Sequence, residues 1–197
     1  MVIYSSPPVV TRAVHLSVPP LALSLSRWAI ALVALLPFVW RRLPREWPQL
    51  RRHWASLVFV ASFMVAGSTL SMLAVYFTTA TNAVLVNASQ PAITAMLAWA
   101  IGRVRLTGAQ RWGIGCAAAG ILVMITRADV HVLLGLELNI GDLIMLLAVL
   151  CWSAYAVLLP RREYTPDGVT LMFLIALTGT VLLTPAALIE AAYVGPF

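Results

Sequence analysis

Two groups of residues carry side chains able to engage a solute, and neither is a catalytic set. Asn87, Gln90 and Thr94 recur at i, i+3 and i+7, which places two amides and a hydroxyl on one helical face. Pro91 falls inside that stretch, with Ser89 beside it. Because proline has no N–H, the carbonyl of Asn87 loses its i+4 donor and the helix should kink there. A polar stripe beside freed backbone could hold a solute by hydrogen bonds. The plainer use of such side chains is interhelical glue, worth roughly 1 kcal/mol per contact. Arg27 offers a planar guanidinium suited to an anionic group such as a carboxylate. Its alternative is to snorkel outward, with Trp28 as an interface aromatic.

Other chemistries find no residues to carry them. There is no HExxH, no GxSxG and no glycine-rich phosphate loop. His15, His53 and His131 are scattered between apolar stretches, and the acids cluster at the ends of those stretches. Asp142 and Glu190 come nearest to a membrane, but neither lies at its midplane, so no carboxylate proton relay is evident. Cys116 and Cys151 sit in apolar runs without ligand spacing and read as free, buried thiols. No metal, no cofactor and no enzymatic activity are expected.

These side chains must be positioned by elements that live in lipid. Of 197 residues, 61% are hydrophobic and 10% charged, against roughly 45–50% and about 25% in soluble domains. The mean hydropathy is +0.93. So apolar a chain cannot cover a single water-soluble core with polar surface. Six runs are long enough to cross a bilayer as helices: 20–40, 55–77, 81–101, 107–126, 141–159 and 168–189. None alternates with period two, which argues against barrel strands. Within 107–126, Gly113, Ala117 and Gly120, with Gly115 and Ala119, form small-residue faces suited to close helix packing.

The net charge of +6 comes entirely from arginine among the basic residues, since the chain has no lysine. Arg41, Arg42, Arg45, Arg51, Arg52, Arg103, Arg105, Arg111, Arg161 and Arg162 fall in or beside alternate connections, while the opposite side holds only Arg12 and Arg127. Their place between apolar runs makes them topology signals rather than a nucleic-acid surface. The arginine-rich connections are expected to face the cytoplasm, in a multi-pass protein of the cytoplasmic membrane. The lipid bilayer is the one partner this requires.

A shift of 148 residues aligns the N-terminal stretch with the segment from Cys151 without gaps. Tyr4-Ser5 meets Trp152-Ser153, Leu23 meets Leu171, Val33 meets Val181, and Pro37 meets Pro185. The 20–40 and 168–189 runs are therefore equivalent yet oppositely directed, as inverted repeats with an odd number of spans require. The stretches Ser5–Val14, Pro20–Pro37 with Arg27-Trp28, Ala80–Pro91 (ATNAVLVNASQP), the glycine-rich span from Gly113, and Gly141–Arg162 resemble the EamA-type family of the drug/metabolite transporter superfamily.

That resemblance implies an all-α polytopic membrane helix bundle of inverted five-helix repeats. Residues 1–126 would be the first repeat, 127–140 an external loop, and 141–197 the start of the second. It further implies export of small metabolites, amino-acid-like compounds or drugs by alternating access. In that family the helices holding Trp152, Ser153 and Tyr155, and their counterparts Tyr4, Ser5 and Pro7, border the central cavity. Trp152 and Tyr155 would then be aromatic walls; simple helix packing is the other reading. Two repeats of 148 residues make about 296, so most of the first helix and three final spans are expected to lie outside this chain. A homodimer or a partner chain could supply them; a membrane fragment or structural module that does not transport is the alternative. Asn87, Gln90, Pro91, Thr94, Arg27, Trp152 and Tyr155 are the substrate-binding candidates.

Overall fold

A computed structural model of the chain describes residues 20–102, 107–109, 112–113, 115–116, 119 and 139–194. Among them the regular structure is helical: α1 (Pro20–Trp40), α2 (Leu43–Phe77), α3 (Ala80–Ala88), α4 (Gln90–Gly102), α5 (Ile140–Leu158), a short 3-10 turn (Leu159–Arg161) and α6 (Gly168–Val194). Helix is the element that satisfies every backbone polar group within one segment, which a bilayer demands. Five membrane-length apolar helices result, with α3 and α4 together making one of them. Most of the 107–126 run and its small-residue face lie outside the described residues, as do Tyr4, Ser5 and Pro7.

One element differs from the sequence reading. Arg45, Arg51 and Arg52, expected in a connection, stand on the first turns of α2, which begins at Leu43 and runs for 35 residues. Pro44 suits the opening turn, where its missing N–H would be unsatisfied anyway. Leu, Arg, Glu and Gln are good helix formers and carry the helix on to the apolar run. Hydropathy marks where the membrane begins and says nothing about where a helix does.

The packing directions follow from contacts at both ends of each pair. At one end of the α1–α6 pair, the Glu190 carboxylate accepts N–H bonds from Leu21 and Ala22 at 3.1 and 3.0 Å. Midway, Trp28 lies over Gly179. At the other end, Arg42 pairs with Asp167. These two helices, which the 148-residue shift aligns, are thus antiparallel along their whole length. Helices α2 and α5 are also antiparallel, from Thr78–Asp142 through Gly67–Trp152 to Arg162 over the Phe59 ring. The α3–α4 span runs parallel to α5, as Asn82–Asp142, Thr94–Ser153 and the Arg161 bond to the Ala98 carbonyl require. Alternate threading of successive spans gives each of these senses.

Two apolar clusters lie at the seams. Ala61, Val65, Leu171, Ile175 and Leu183 join α2 to α6, with Trp28 and Tyr155 against them. Ala74, Ala83, Met145 and Ala148 join α2, α3 and α5, with Val86 and Trp152 against them. Ile30, Val33, Phe38 and Leu188 are turned outward, as lipid-facing side chains must be.

Candidate functional site

The helix break falls where the proline predicted it. Thr79 caps α3 by accepting the Asn82 N–H at 3.2 Å, and the helix ends at Ala88. Ser89 interrupts the ladder: its N–H and hydroxyl both bond to the Val86 carbonyl, at 3.1 and 2.6 Å. Helix α4 then starts at Gln90, with the Ile93 N–H returning to the Ser89 carbonyl at 3.1 Å. The break is one residue wide.

The three polar side chains of this stretch have different fates. Thr94 Oγ1 bonds to the Gln90 carbonyl at 2.7 Å and to the Ser153 hydroxyl at 2.9 Å. Threonine therefore ties α4 to α5, and Ser153 is fully buried at that seam. Asn87 is different, because its Oδ1 is buried and has no hydrogen-bond partner among the described residues. Gln90 is half-buried and Pro91 exposed. A buried carbonyl oxygen without a donor is uncommon and calls for an explanation; Thr69 Oγ1, Thr170 Oγ1 and Arg162 Nε are in the same state among the described residues.

Trp152 and Tyr155 lie one turn apart on α5 yet serve different seams. Trp152 fills the notch left by Gly67, where a Cβ would come within 2.7 Å of the indole. It packs against the cluster that includes Ala83, on the helix that holds Asn87. Tyr155 packs in the other cluster, with Ala61, Val65 and Trp28. The two rings pack against different buried clusters.

Arg27 is exposed, and its Nη1 reaches Met72 Sδ at 2.9 Å. Ser24, one turn earlier, donates to the same sulfur at 3.3 Å. The guanidinium is thus aimed across α2 instead of toward the helix end. Thioether sulfur is a weak acceptor, and no carboxylate pairs with Arg27 among the described residues. No hydrogen bond there joins Arg27 to the 87–94 stripe.

The best-partnered ionisable group was not a sequence candidate. Asp142 is only 6% exposed. Its Oδ1 accepts from the Thr78 hydroxyl, and its Oδ2 from the Asn82 amide at 3.4 Å and the Asn139 N–H at 3.1 Å. One carboxylate so binds the end of α2, the start of α3 and the start of α5. The Asn139-x-x-Asp142 spacing of a capping box was a legible signal for the last of these. Beside it, Gly141 packs against backbone, and a Cβ there would lie 2.6 Å from Thr78 N.

At the arginine-rich end the contacts are looser. Tyr164 donates to Glu46 Oε2 at 3.4 Å and stacks obliquely near His53. Partial burial, then the charge and hydrogen bond of Glu46, push the Tyr164 phenol above its ordinary value.

Comparison with known proteins agrees with this architecture. A family described as the EamA-like transporter family matches residues 1–126. The chain is also similar to a Bacillus subtilis (strain 168) protein named "Uncharacterized transporter YyaM", at 34% identity over 95 residues. That stretch is 48% of this chain and 30% of the relative, so the chain matches less than a third of that protein's length. No solved structure matches the chain.

Proposed function

The chain belongs to the EamA-like transporter family, and from that premise we propose that it exports a small metabolite, an amino-acid-like compound or a drug across the cytoplasmic membrane. A multi-pass helical bundle with a transporter's family signature is the platform. The mechanism is alternating access: two inverted halves, residues 1–126 and the repeat that opens at 141, rock about a site near mid-membrane. Antiparallel packing of α1 on α6, the pair related by the 148-residue shift, supports that symmetry.

The observation that carries the reading is Asn87 Oδ1, buried beside a helix break with no donor among the described residues. An unmet carbonyl in a dry interior costs roughly 1–3 kcal/mol, and a solute N–H would remove that cost. In this reading Asn87 and Gln90 bind the amino or amide end of the solute. Pro91 keeps the break open, and Thr94 holds α4 to α5 through Ser153. Arg27, with only a thioether contact, receives an anionic end at a second stage of the path. Trp152 and Tyr155 present ring edges where their seams open.

The test is efflux from cells loaded with radiolabelled amino acids or with a fluorescent amphipathic dye. Asn87→Leu and Gln90→Leu should each cut the flux at least tenfold, with insertion unchanged by protease protection. Undiminished flux in Asn87→Leu overturns the site.

A further inference from the structure

Four guanidiniums at one end of the bundle have no ion-pair partner among the described residues. Arg41, Arg45, Arg51 and Arg52 are exposed and form no ion pair among the described residues. Nearby Arg42 is taken by Asp167. The one acid on the first turns of α2, Glu46, is engaged by Tyr164. Local charge is therefore strongly positive and unanswered.

The helix also sorts its faces there. Glu46, Leu50, His53 and Leu57, at i, i+4, i+7 and i+11, are turned to the protein: Leu50 and Leu57 are buried, and Glu46 and His53 meet Tyr164. Trp47, Arg51 and Trp54 occupy a separate stripe at the same spacing, with Trp47 54% and Trp54 62% exposed. Half-buried Val58 continues that stripe into the apolar run. At 1.5 Å of rise per residue, Arg51 and Arg52 stand about 5 Å beyond the first residue of the run. That is headgroup depth, with Trp54 at the hydrocarbon boundary.

We propose that this stripe is a binding site for an anionic phospholipid. Arg51, on the stripe, takes the headgroup phosphate, for which the planar fork of arginine is suited, and Arg52, on another face of the helix, adds positive charge at the same depth. Trp47 and Trp54 flank the glycerol region, and an acyl chain lies along Trp54 and Val58. A free phosphate would use the arginines alone and leave the aromatic and apolar part of the stripe without purpose. Clustered basic residues beside a span select anionic lipid through the surface charge of the headgroups. Zwitterionic lipid gains little from them.

The test is native mass spectrometry of the whole chain in mild detergent, titrated with dioleoyl-phosphatidylglycerol or dioleoyl-phosphatidylcholine. The expected result is at least fivefold tighter retention of phosphatidylglycerol. In R51Q/R52Q that preference should collapse to below twofold, while R105Q, in another connection, keeps it. Equal retention of the two lipids by the unmodified chain overturns the proposal, whatever the variants do. So does a preference that survives R51Q/R52Q, or one abolished by millimolar inorganic phosphate, which would mark a simple anion site. If R51Q/R52Q does not fold, W54A serves as the second variant. It should lower phosphatidylglycerol retention at least twofold, and unchanged retention overturns the stripe. Efflux plays no part in these readouts, so their failure is separate from failure of the transport reading.

Discussion

The two ends of the bundle are closed by different chemistry. At the arginine-poor end, Asp142 is buried and bonded to three elements, Gly141 lets α5 touch the backbone after α2, and Glu190 caps α1. At the arginine-rich end, Arg42 and Asp167 pair while 51% and 45% exposed, and Tyr164 reaches Glu46 across 3.4 Å. A hydrogen bond to a buried charge contributes roughly 1.5–3 kcal/mol, whereas an exposed ion pair contributes about 0–1. The lesson is an asymmetry: the described form is bolted at one end and merely latched at the other.

Changes at the bolted end should do the greatest damage. Gly141→Ala puts a methyl against backbone that cannot rotate away, and overpacking costs about 1–3 kcal/mol or more. A clear drop in the midpoint of detergent unfolding would be expected; an unchanged midpoint breaks the comparison. Asp142→Ala comes next. It strands the Thr78 hydroxyl, the Asn82 amide and the Asn139 N–H, at a cost of about 2 kcal/mol. Accessibility of a cysteine placed at Thr79 should rise with it, and Asp142→Asn should restore part of the loss.

At the latched end the same measurements should barely move. Asp167→Asn is expected to shift the unfolding midpoint by no more than about 1 kcal/mol, less in high salt. A loss as large as that of Asp142→Ala would erase the asymmetry. The smallest effect belongs to Tyr164. Its phenol is raised in the folded chain, so the neutral form is favoured and that contribution is fully present below about pH 10. It is lost as pH rises through the folded value. Glu46→Gln should move the Tyr164 absorbance transition back toward pH 10, and an unmoved transition removes Glu46 from the latch.

Much of this was legible in the residues, for identifiable reasons. Long apolar runs and the arginine distribution give spans and their senses, because the bilayer allows few alternatives. Pro91 announced the break, since a missing N–H acts locally. The capping partner of Asp142 was within reach of a local pattern, but Thr78 and Asn82 come from other elements and only packing could supply them. Gly67 and Gly179 read as ordinary small residues until Trp152 and Trp28 fill them. Trp152 and Tyr155 read in sequence as aromatic walls or as helix packing; that they pack in two different clusters is a tertiary fact. Arg27 has two readings in sequence, and its aim at Met72 is a tertiary fact.

The length of α2 has a mechanical meaning. Its 35 residues extend roughly 50 Å, well beyond a hydrocarbon core of about 30 Å. Pinned near Thr78 by Asp142, it is a lever with its fulcrum at one face of the membrane and its tip beyond the other. A tilt of about 5° about that fulcrum, hardly a displacement there, would carry the tip by about 4 Å. The Glu46–Tyr164 contact sits at the tip, where such a tilt would have its largest displacement.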